Sequence, residues 1–255
     1  MEPAIKLQNV KARFASDKPL VLDIDALTIQ TGERVALIGP SGAGKTTLLR
    51  LLNGYVQPEG GTMQILGQRI ADPTQDDKWK RKTRRRVGFI FQDFSLIERA
   101  TVFENVLWGR LGHLPTWRTL LGWFPEADKL AAMAAIAEVD LSDQASQRAD
   151  TLSGGQQQRV GVARVLAQEA EILLADEPIS NLDPALAEEV LALLAEVSKT
   201  HNATLVMSLH QPEWAMRYAD RIIGLRDGCI VYDQAAADLD EAAIAAIYER
   251  ALERT

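Results

Sequence analysis

The sequence predicts an α/β fold: a core of parallel strands alternating with helices, an antiparallel β layer, and an inserted helical segment. Three observations predict it. Gly39-Pro40-Ser41-Gly42-Ala43-Gly44-Lys45-Thr46 fits G-x-x-x-x-G-K-[ST] and lies between an apolar strand-like run and a helical one. From Gly154 onward, helix-like and strand-like segments alternate, the pattern of a parallel sheet with ligands at the strand C-terminal ends. Between Phe94 and Asp150 that alternation gives way to a stretch dominated by alanine and leucine.

Ala4–Phe14 and Leu20–Ile29 read as antiparallel strands turned by Ser16-Asp17-Lys18-Pro19. Glu33–Ile38 is a short buried strand entering the glycine-rich loop, and Thr47–Leu52 leaves it as a helix that ends near Asn53-Gly54. Gly61–Leu66 and Gln68–Ile70 form a second hairpin around Gly67, and Val87–Phe91 is a buried strand that ends at Gln92. Within the insert, Glu126–Val139 reads as a helix because Leu130, Met133, Ala134 and Ala137 recur at helical spacing. Trp108–Phe124 carries Trp108, Pro115, Trp117, Trp123 and Phe124 without clean periodicity, either a loop cluster packed on itself or a contact surface for a partner. The second half reads as helix Gly154–Gln168, strand Glu171–Ala175, helix Pro184–Lys199, strand Ala203–Leu209 and helix Glu213–Tyr218. Strands Arg221–Leu225 and Ile230–Tyr232 follow, turned by Asp227-Gly228, and an amphipathic helix spans Asp240–Arg250.

Composition narrows the class. At 255 residues, 47% hydrophobic and 25% charged, the chain has the make-up of a globular protein with a sizeable core. No apolar run approaches the roughly 20 residues of a membrane span, and Met1-Glu2-Pro3-Ala4 has neither the basic nor the apolar region of a secretory signal. Cys229 is the single cysteine, so no intrachain disulfide is expected. A net charge of −7 argues against nucleic acid as a partner. Seven of the nine residues from Lys78 to Arg86 are nevertheless basic, either a solvated helix face or a surface for anionic lipid or an acidic partner.

The glycine-rich loop carries the first chemistry. Its glycines let the backbone wrap closely round a phosphate, and the helix N-terminus behind them favours negative charge. Lys45 is expected to reach the β- and γ-phosphates, and the Thr46 hydroxyl to ligate Mg²⁺. Ile172–Ala175 then delivers two carboxylates at a strand end. In a chain that already has a phosphate loop, Asp176 is expected to reach Mg²⁺ and Glu177 to polarise the attacking water. Leu152-Ser153-Gly154-Gly155-Gln156 opens a helix with Ser153 as a natural N-cap. Its two glycines suggest a second phosphate-approaching helix N-terminus, and one nucleotide has no need of both, which hints that this one serves a second copy of the chain.

These motifs together resemble the ATP-binding subunits of ABC transporters over essentially the whole length. Gly39–Thr46, with Thr47 after it, matches Walker A, Ile172–Asp176 matches Walker B, and Leu152–Gln156 matches the LSGGQ signature. Gln92 matches the Q-loop glutamine, Ser180-Asn181-Leu182-Asp183 the D-loop, His210 the switch histidine, and Phe14 the base-stacking aromatic. The resemblance implies a P-loop NTPase core of the RecA-like type, with an antiparallel β subdomain, over about 1–93 and 159–255, and a helical signature subdomain over about 94–158. It implies ATP and Mg²⁺ as cofactors, with Phe14, Gly39, Pro40, Ser41, Gly42, Ala43, Gly44, Lys45, Thr46 and Thr47 on the nucleotide. Ser153, Gly154, Gly155, Gln156 and Asp183 would approach the nucleotide of the opposite subunit. Glu177, His210 and Gln92 would serve catalysis, with Thr46, Gln92 and Asp176 round the metal. It further implies a homodimer, peripheral on the cytoplasmic face of the inner membrane, joined to integral membrane permease subunits and indirectly to a substrate-binding protein. Phe14 stands where tyrosine is commoner, and Asn181 where alanine is commoner.

A narrower resemblance, to phosphonate importer ATPases, rests on Gly109–His113, Trp117–Gly122 with Phe124, Gln147–Thr151, Tyr218–Arg221 and Ile223–Arg226. It implies import of phosphonate or related reduced phosphorus anions. Gln92 and the segment Phe94–Phe124 are expected to form the groove that receives a short helix of the permease. Other readings are an importer or exporter of another solute, and an ABC ATPase of DNA repair or translation. The last usually carries a coiled-coil insertion or two cassettes in one chain, and neither is present here.

Overall fold

The structure, a computed structural model, describes residues 2–13, 20–70, 83–93, 95–180 and 182–249. In chain order its strands are β1 (Ile5–Ala12), β2 (Leu22–Ile29), β3 (Arg34–Ile38), β4 (Gly60–Ile65), β5 (Gln68–Ile70), β6 (Val87–Ile90), β7 (Ile172–Ala175), β8 (Thr204–Ser208), β9 (Arg221–Arg226) and β10 (Cys229–Ala235). Its α-helices are α1 (Lys45–Leu52), α2 (Val102–Leu107), α3 (Thr116–Leu121), α4 (Glu126–Glu138), α5 (Gly154–Ala167), α6 (Pro184–Thr200), α7 (Pro212–Tyr218) and α8 (Glu241–Tyr248). They are shared between two compact units, Met1–Asp76 with Thr204–Thr255, and Asp77–Ala203.

The first unit is built on two sheets. One is antiparallel, in the order β2-β1-β4-β5, with Ile5 opposite Ile29 and Ala12 opposite Leu22. Ile5, Leu7, Val10 and Ala12 of β1 are buried. Their alternation slips by one at Asn9 (φ 51), where the pairing with β4 shifts register, so a bulge keeps the apolar side inward. In the other, β3 lies between β8 and β9, parallel to both, and β10 closes an antiparallel edge on β9. Val35–Ile38 and all of β8, including its polar ends Thr204 and Ser208, are buried, as central strands of a parallel sheet should be.

The second unit holds the parallel pair β6 and β7, with Val87 opposite Ile172 and Ile90 opposite Ala175. Helix starts here carry strong caps. Thr101 and Glu104 form a capping box on α2, Ser153 and Gln156 form one on α5, and Asp183 caps α6 ahead of Pro184.

Two expectations change in detail. The aromatic segment is ordered, as a 3-10 turn over Trp108–His113 followed by α3. In α4, the residues whose spacing signalled the helix, Leu130, Met133, Ala134 and Ala137, all face solvent, while Asp128, Ala132, Ala135 and Ile136 are buried. An alanine-rich helix is apolar nearly all round, so its period does not say which side packs; a buried ion pair decides. Arg110 Nε donates to Asp128 Oδ1 at 2.8 Å and its NH1 donates to the carbonyl of Ala167 at 2.8 Å. Glu169 Oε1 lies 2.8 Å from the same guanidinium. That network draws the start of α4 and the end of α5 onto one cation.

Candidate functional site

The phosphate loop belongs to the first unit and follows β3 directly. Gly39 has φ 142, and a Cβ there would lie 2.1 Å from the carbonyl oxygen of Leu225, so only glycine fits between β3 and β9. Lys45 is 5% exposed, and its ammonium donates to the carbonyls of Gly39 (2.7 Å) and Pro40 (3.2 Å), curling back over the loop. The first turn of α1 has no acidic side chain and no side-chain cap. A nearly buried cation above a glycine-rich turn, with uncapped helix N–H groups beneath it, fits a multiply charged phosphate. Thr46 is half-buried and Thr47 buried on the same turn.

Two further pieces of this unit brace the loop. The β9–β10 turn, with φ 49 at Asp227 and φ 80 at Gly228, has the left-handed pair of a tight hairpin. Gly228 donates its N–H to the carbonyl of Ala43 (3.1 Å) and accepts from the N–H of Asp23 (2.9 Å), which wedges the turn between β2 and the phosphate loop. His210 follows β8. Leu37 pairs with Ser208, and Leu209 donates its N–H to the carbonyl of Leu37 (3.0 Å), so the register carries His210 to the level of Gly39. Its side chain is exposed.

The second unit brings its own set together. Because Ile90 pairs with Ala175, the chain after β6 and the chain after β7 leave the sheet at the same end. Gln92 emerges there, exposed, beside Asp176, which is 6% exposed and donates its backbone N–H to the carbonyl of Ile90 (2.9 Å). Glu177 follows at φ 48. A left-handed conformation costs a side-chain-bearing residue about 1–2 kcal/mol, and such strain collects at functional sites.

The signature segment is folded into the cap of α5. Ser153 Oγ accepts from the N–H of Gln156 (3.3 Å), and Gln156 Oε1 accepts from the N–H of Ser153 (3.0 Å). Gly155 leaves room for Leu186, whose side-chain carbons would lie 2.5–2.7 Å from a Cβ placed there. The start of α5 therefore packs on the start of α6. Asp183 uses its carboxylate to accept from the N–H groups of Ala185 and Leu186, both at 3.1 Å. Phe14 and Asn181 lie outside the described residues, as does most of the basic run. Of that run, Arg86 pairs with Glu171 through two nitrogens, and hydrogen bonding to Glu171 raises its pKa.

The tryptophans divide. Trp117 and Trp123 are 51% and 60% exposed and meet edge to face at 6.1 Å, with the Arg118 guanidinium 5.1 and 5.3 Å from their rings. They are surface side chains, while Trp108 is half-buried. A groove of about 440 Å³ lies beside them in sequence but on other residues: Thr101, Phe103, Lys129, Leu130, Met133 and Ala145 line it. The exposed apolar side of α4 is thus one wall of a groove. The ion-pair role of Arg110 and Asp128 and the bracing role of Gly228 are what sequence reasoning did not anticipate. Nothing local set Asp128 apart from Glu126 and Glu138 of the same helix, and nothing local marks Gly228 as more than a turn.

Comparison with known proteins agrees with this geometry. The family described as ABC transporter matches residues 22–180. The chain is 46% identical over 244 residues to the phosphonates import ATP-binding protein PhnC 2 of Pseudomonas savastanoi pv. phaseolicola, covering 94% of this chain and 87% of that one. It is 45% identical to the phosphonates import ATP-binding protein PhnC of Thiobacillus denitrificans, over 97% and 93% of the two chains. Among solved structures, cbiO1 from Clostridium perfringens, part of the transporter complex cbiONQ, superposes with a TM-score of 0.83 at 25% identity over 96% and 93% of the chains. The dimeric ATP-binding cassette MJ0796 bound to ADP and Pi superposes with a TM-score of 0.75 at 32% identity over 91% and 98%. With a buried lysine over its phosphate loop, a strained acid after Walker B and a capped signature helix, the chain belongs to the ABC transporter family, as an ATP-binding subunit.

Proposed function

We propose that the chain is the ATPase of an importer for phosphonates or related reduced phosphorus anions. The observation that carries this reading is identity of about 45% across nearly the full length to proteins named for phosphonate import. The cargo does not pass through this subunit, so its residues act on ATP. Lys45 and the N–H groups of the loop hold the β- and γ-phosphates. Thr46 of the first unit and Gln92 and Asp176 of the second are oxygen donors of the hard type that suits Mg²⁺; they would hold the ion, which would supply positive charge to offset that of the phosphates. Glu177 accepts a proton from the attacking water, and His210 contacts the γ-phosphate. Ser153, Gly154 and Gly155 face the nucleotide of a second copy in a head-to-tail dimer; MJ0796 is itself dimeric in its solved form. Asp183 caps α6 through Oδ1, which sets the direction of that helix while the residue approaches the nucleotide of the second copy.

In this reading the dimer sits peripherally under a membrane permease, consistent with the absence among the described residues of a helix long and apolar enough to cross a bilayer. A binding protein outside the membrane delivers the cargo. The permease segment docks at Gln92 and the segment Phe94–Phe124, of which Thr101 and Phe103 line a groove walled on its other side by Leu130 and Met133. Uptake of labelled methylphosphonate and phosphite by cells lacking and then regaining the chain tests the proposal. Restored ATP-dependent uptake of the phosphonate supports it; restoration of neither compound, with the chain expressed and folded, overturns the cargo.

A further inference from the structure

The C-terminal helix reaches back to the loop that carries His210. Tyr248, the last residue of α8, donates its hydroxyl to the carbonyl of His210 at 3.0 Å. α8 is fixed at both ends. Asp240 caps it by accepting from the N–H of Ala243 at 2.7 Å. The Arg226 guanidinium donates to the carbonyls of Ala246 and Glu249 at its last turn. Ile247 is fully buried against Gly224, where a Cβ would lie 2.6 Å from Ile247 Cγ1. A hydroxyl mounted on a helix seated this way has little freedom to follow a moving partner.

We propose that Tyr248 is a positioning residue for ATP hydrolysis, tethering the main chain of His210 at the level of Gly39 so that the imidazole is presented to the γ-phosphate in one geometry. This rests on the reading of His210 as the γ-phosphate contact. Burial pushes the Tyr248 phenol up, a main-chain hydrogen bond from Gly39 draws it back down, and the charge of Glu213 adds to the rise. The balance keeps the hydroxyl protonated at neutral pH, as a donor to His210 must be. The geometry rests on the 3.0 Å bond from this hydroxyl to the carbonyl of His210, the histidine that follows β8. The strand ladder itself reaches as far as the Leu209 N–H on the carbonyl of Leu37.

The test compares wild type, Tyr248→Phe, His210→Ala and the double variant in the reconstituted transporter, with single-turnover hydrolysis of labelled ATP. Phe keeps the ring and its packing and removes only the hydroxyl. Small misplacements of a reacting group cost large factors, so Tyr248→Phe is expected to lower kcat roughly 5- to 20-fold with KM for ATP within about twofold. In the His210→Ala background the same change should alter the rate by less than about twofold, because the tether then has nothing to position. Melting temperatures of Tyr248→Phe and wild type should agree within about 2 °C. Unchanged kcat in Tyr248→Phe overturns the proposal while leaving the role of His210 intact. An equal loss in both backgrounds also overturns it, since Tyr248 would then act on something other than the histidine. Wild-type turnover in His210→Ala would refute the role of His210 itself and the tether with it.

Discussion

Replacing Gly228 by alanine should damage nucleotide binding from behind the site, without replacing any residue that meets ATP. Gly228 has φ 80, and an added Cβ would lie 2.3 Å from the carbonyl oxygen of Val21, 2.9 Å from its carbon and 3.1 Å from Leu22 Cα. All three are backbone atoms, so nothing flexible can yield. The left-handed conformation costs alanine about 1–2 kcal/mol. Forcing extra volume into a tight contact costs about 1–3 kcal/mol more. The sum, about 2–5 kcal/mol, corresponds to a fall in melting temperature of roughly 4–20 °C for a chain of this size. Relief of the clash moves the turn away from β2 and strains the bond from Gly228 N–H to the carbonyl of Ala43. Loss of one such bond is worth about 0.5–1.5 kcal/mol, a two- to tenfold rise in Kd for ATP. Thermal melting with and without nucleotide, together with calorimetric titration, reads both quantities. Asp227→Asn is the control, since asparagine tolerates the left-handed conformation and keeps the turn. A Gly228→Ala protein that melts within about 2 °C of wild type and binds ATP normally would refute the idea that this turn braces the loop.

Other substitutions separate the remaining roles. Glu177→Gln should retain ATP and accumulate a closed dimer while hydrolysis falls by about 10²–10⁴, measured as steady-state turnover with the permease; near-normal turnover removes Glu177 from the catalytic step. Lys45→Ala should weaken triphosphate binding by about 1.5–3 kcal/mol, roughly 10- to 150-fold in a titration, and an unchanged Kd contradicts its role. Arg110→Met strands the buried Asp128 carboxylate and should cost about 3–5 kcal/mol in unfolding experiments. Asp128→Leu in the same chain should recover most of that loss, and absence of recovery means that packing rather than charge was removed. Asp220 accepts from Arg34 Nε (3.1 Å), NH2 (2.6 Å) and backbone N–H (3.0 Å), and the side-chain bond holds its carboxyl below the usual carboxylate range despite partial burial. The folded state therefore binds its proton later than the unfolded chain, so the stabilisation is full above about pH 4 and lost as pH falls through the depressed value. For this half-exposed pair it amounts to less than about 1 kcal/mol, so Asp220→Asn should lower melting slightly at pH 7 and converge with wild type in acid. A gap that widens in acid reverses the sign and rejects the account.

How much of this was legible beforehand depends on the range of the interaction involved. The phosphate loop, the strand ending in Asp176 and Glu177 and the cap at Ser153 are local devices. A glycine pattern, an apolar run before two acids, and a serine three residues ahead of a glutamine state their own backbone geometry. Element order was legible for the same reason, since turn residues and hydrophobic period act within a few residues. α4 shows where that stops. Its alanines made a helix certain in type and undetermined in orientation, and the buried pair Arg110–Asp128 then turned Leu130 and Met133 outward. The bulge at Asn9 has a similar origin, because only pairing with β4 places the extra residue.

By itself, the sequence determined that the chain has a phosphate loop, a Walker B strand with a following acid, a signature helix, and the order in which they occur. Those follow from residues close together in the chain, whose spacing dictates a turn or a cap before anything packs. Only the tertiary structure decided that the Asp227-Gly228 turn stands behind Ala43. Only it decided that Tyr248, 38 residues beyond His210, holds that histidine's carbonyl. Both are contacts between elements remote in sequence, set by the register of parallel strands and by where a terminal helix finds a glycine to pack on. The distance in the chain is what hid them: no propensity or spacing refers to a partner that the fold has yet to bring near.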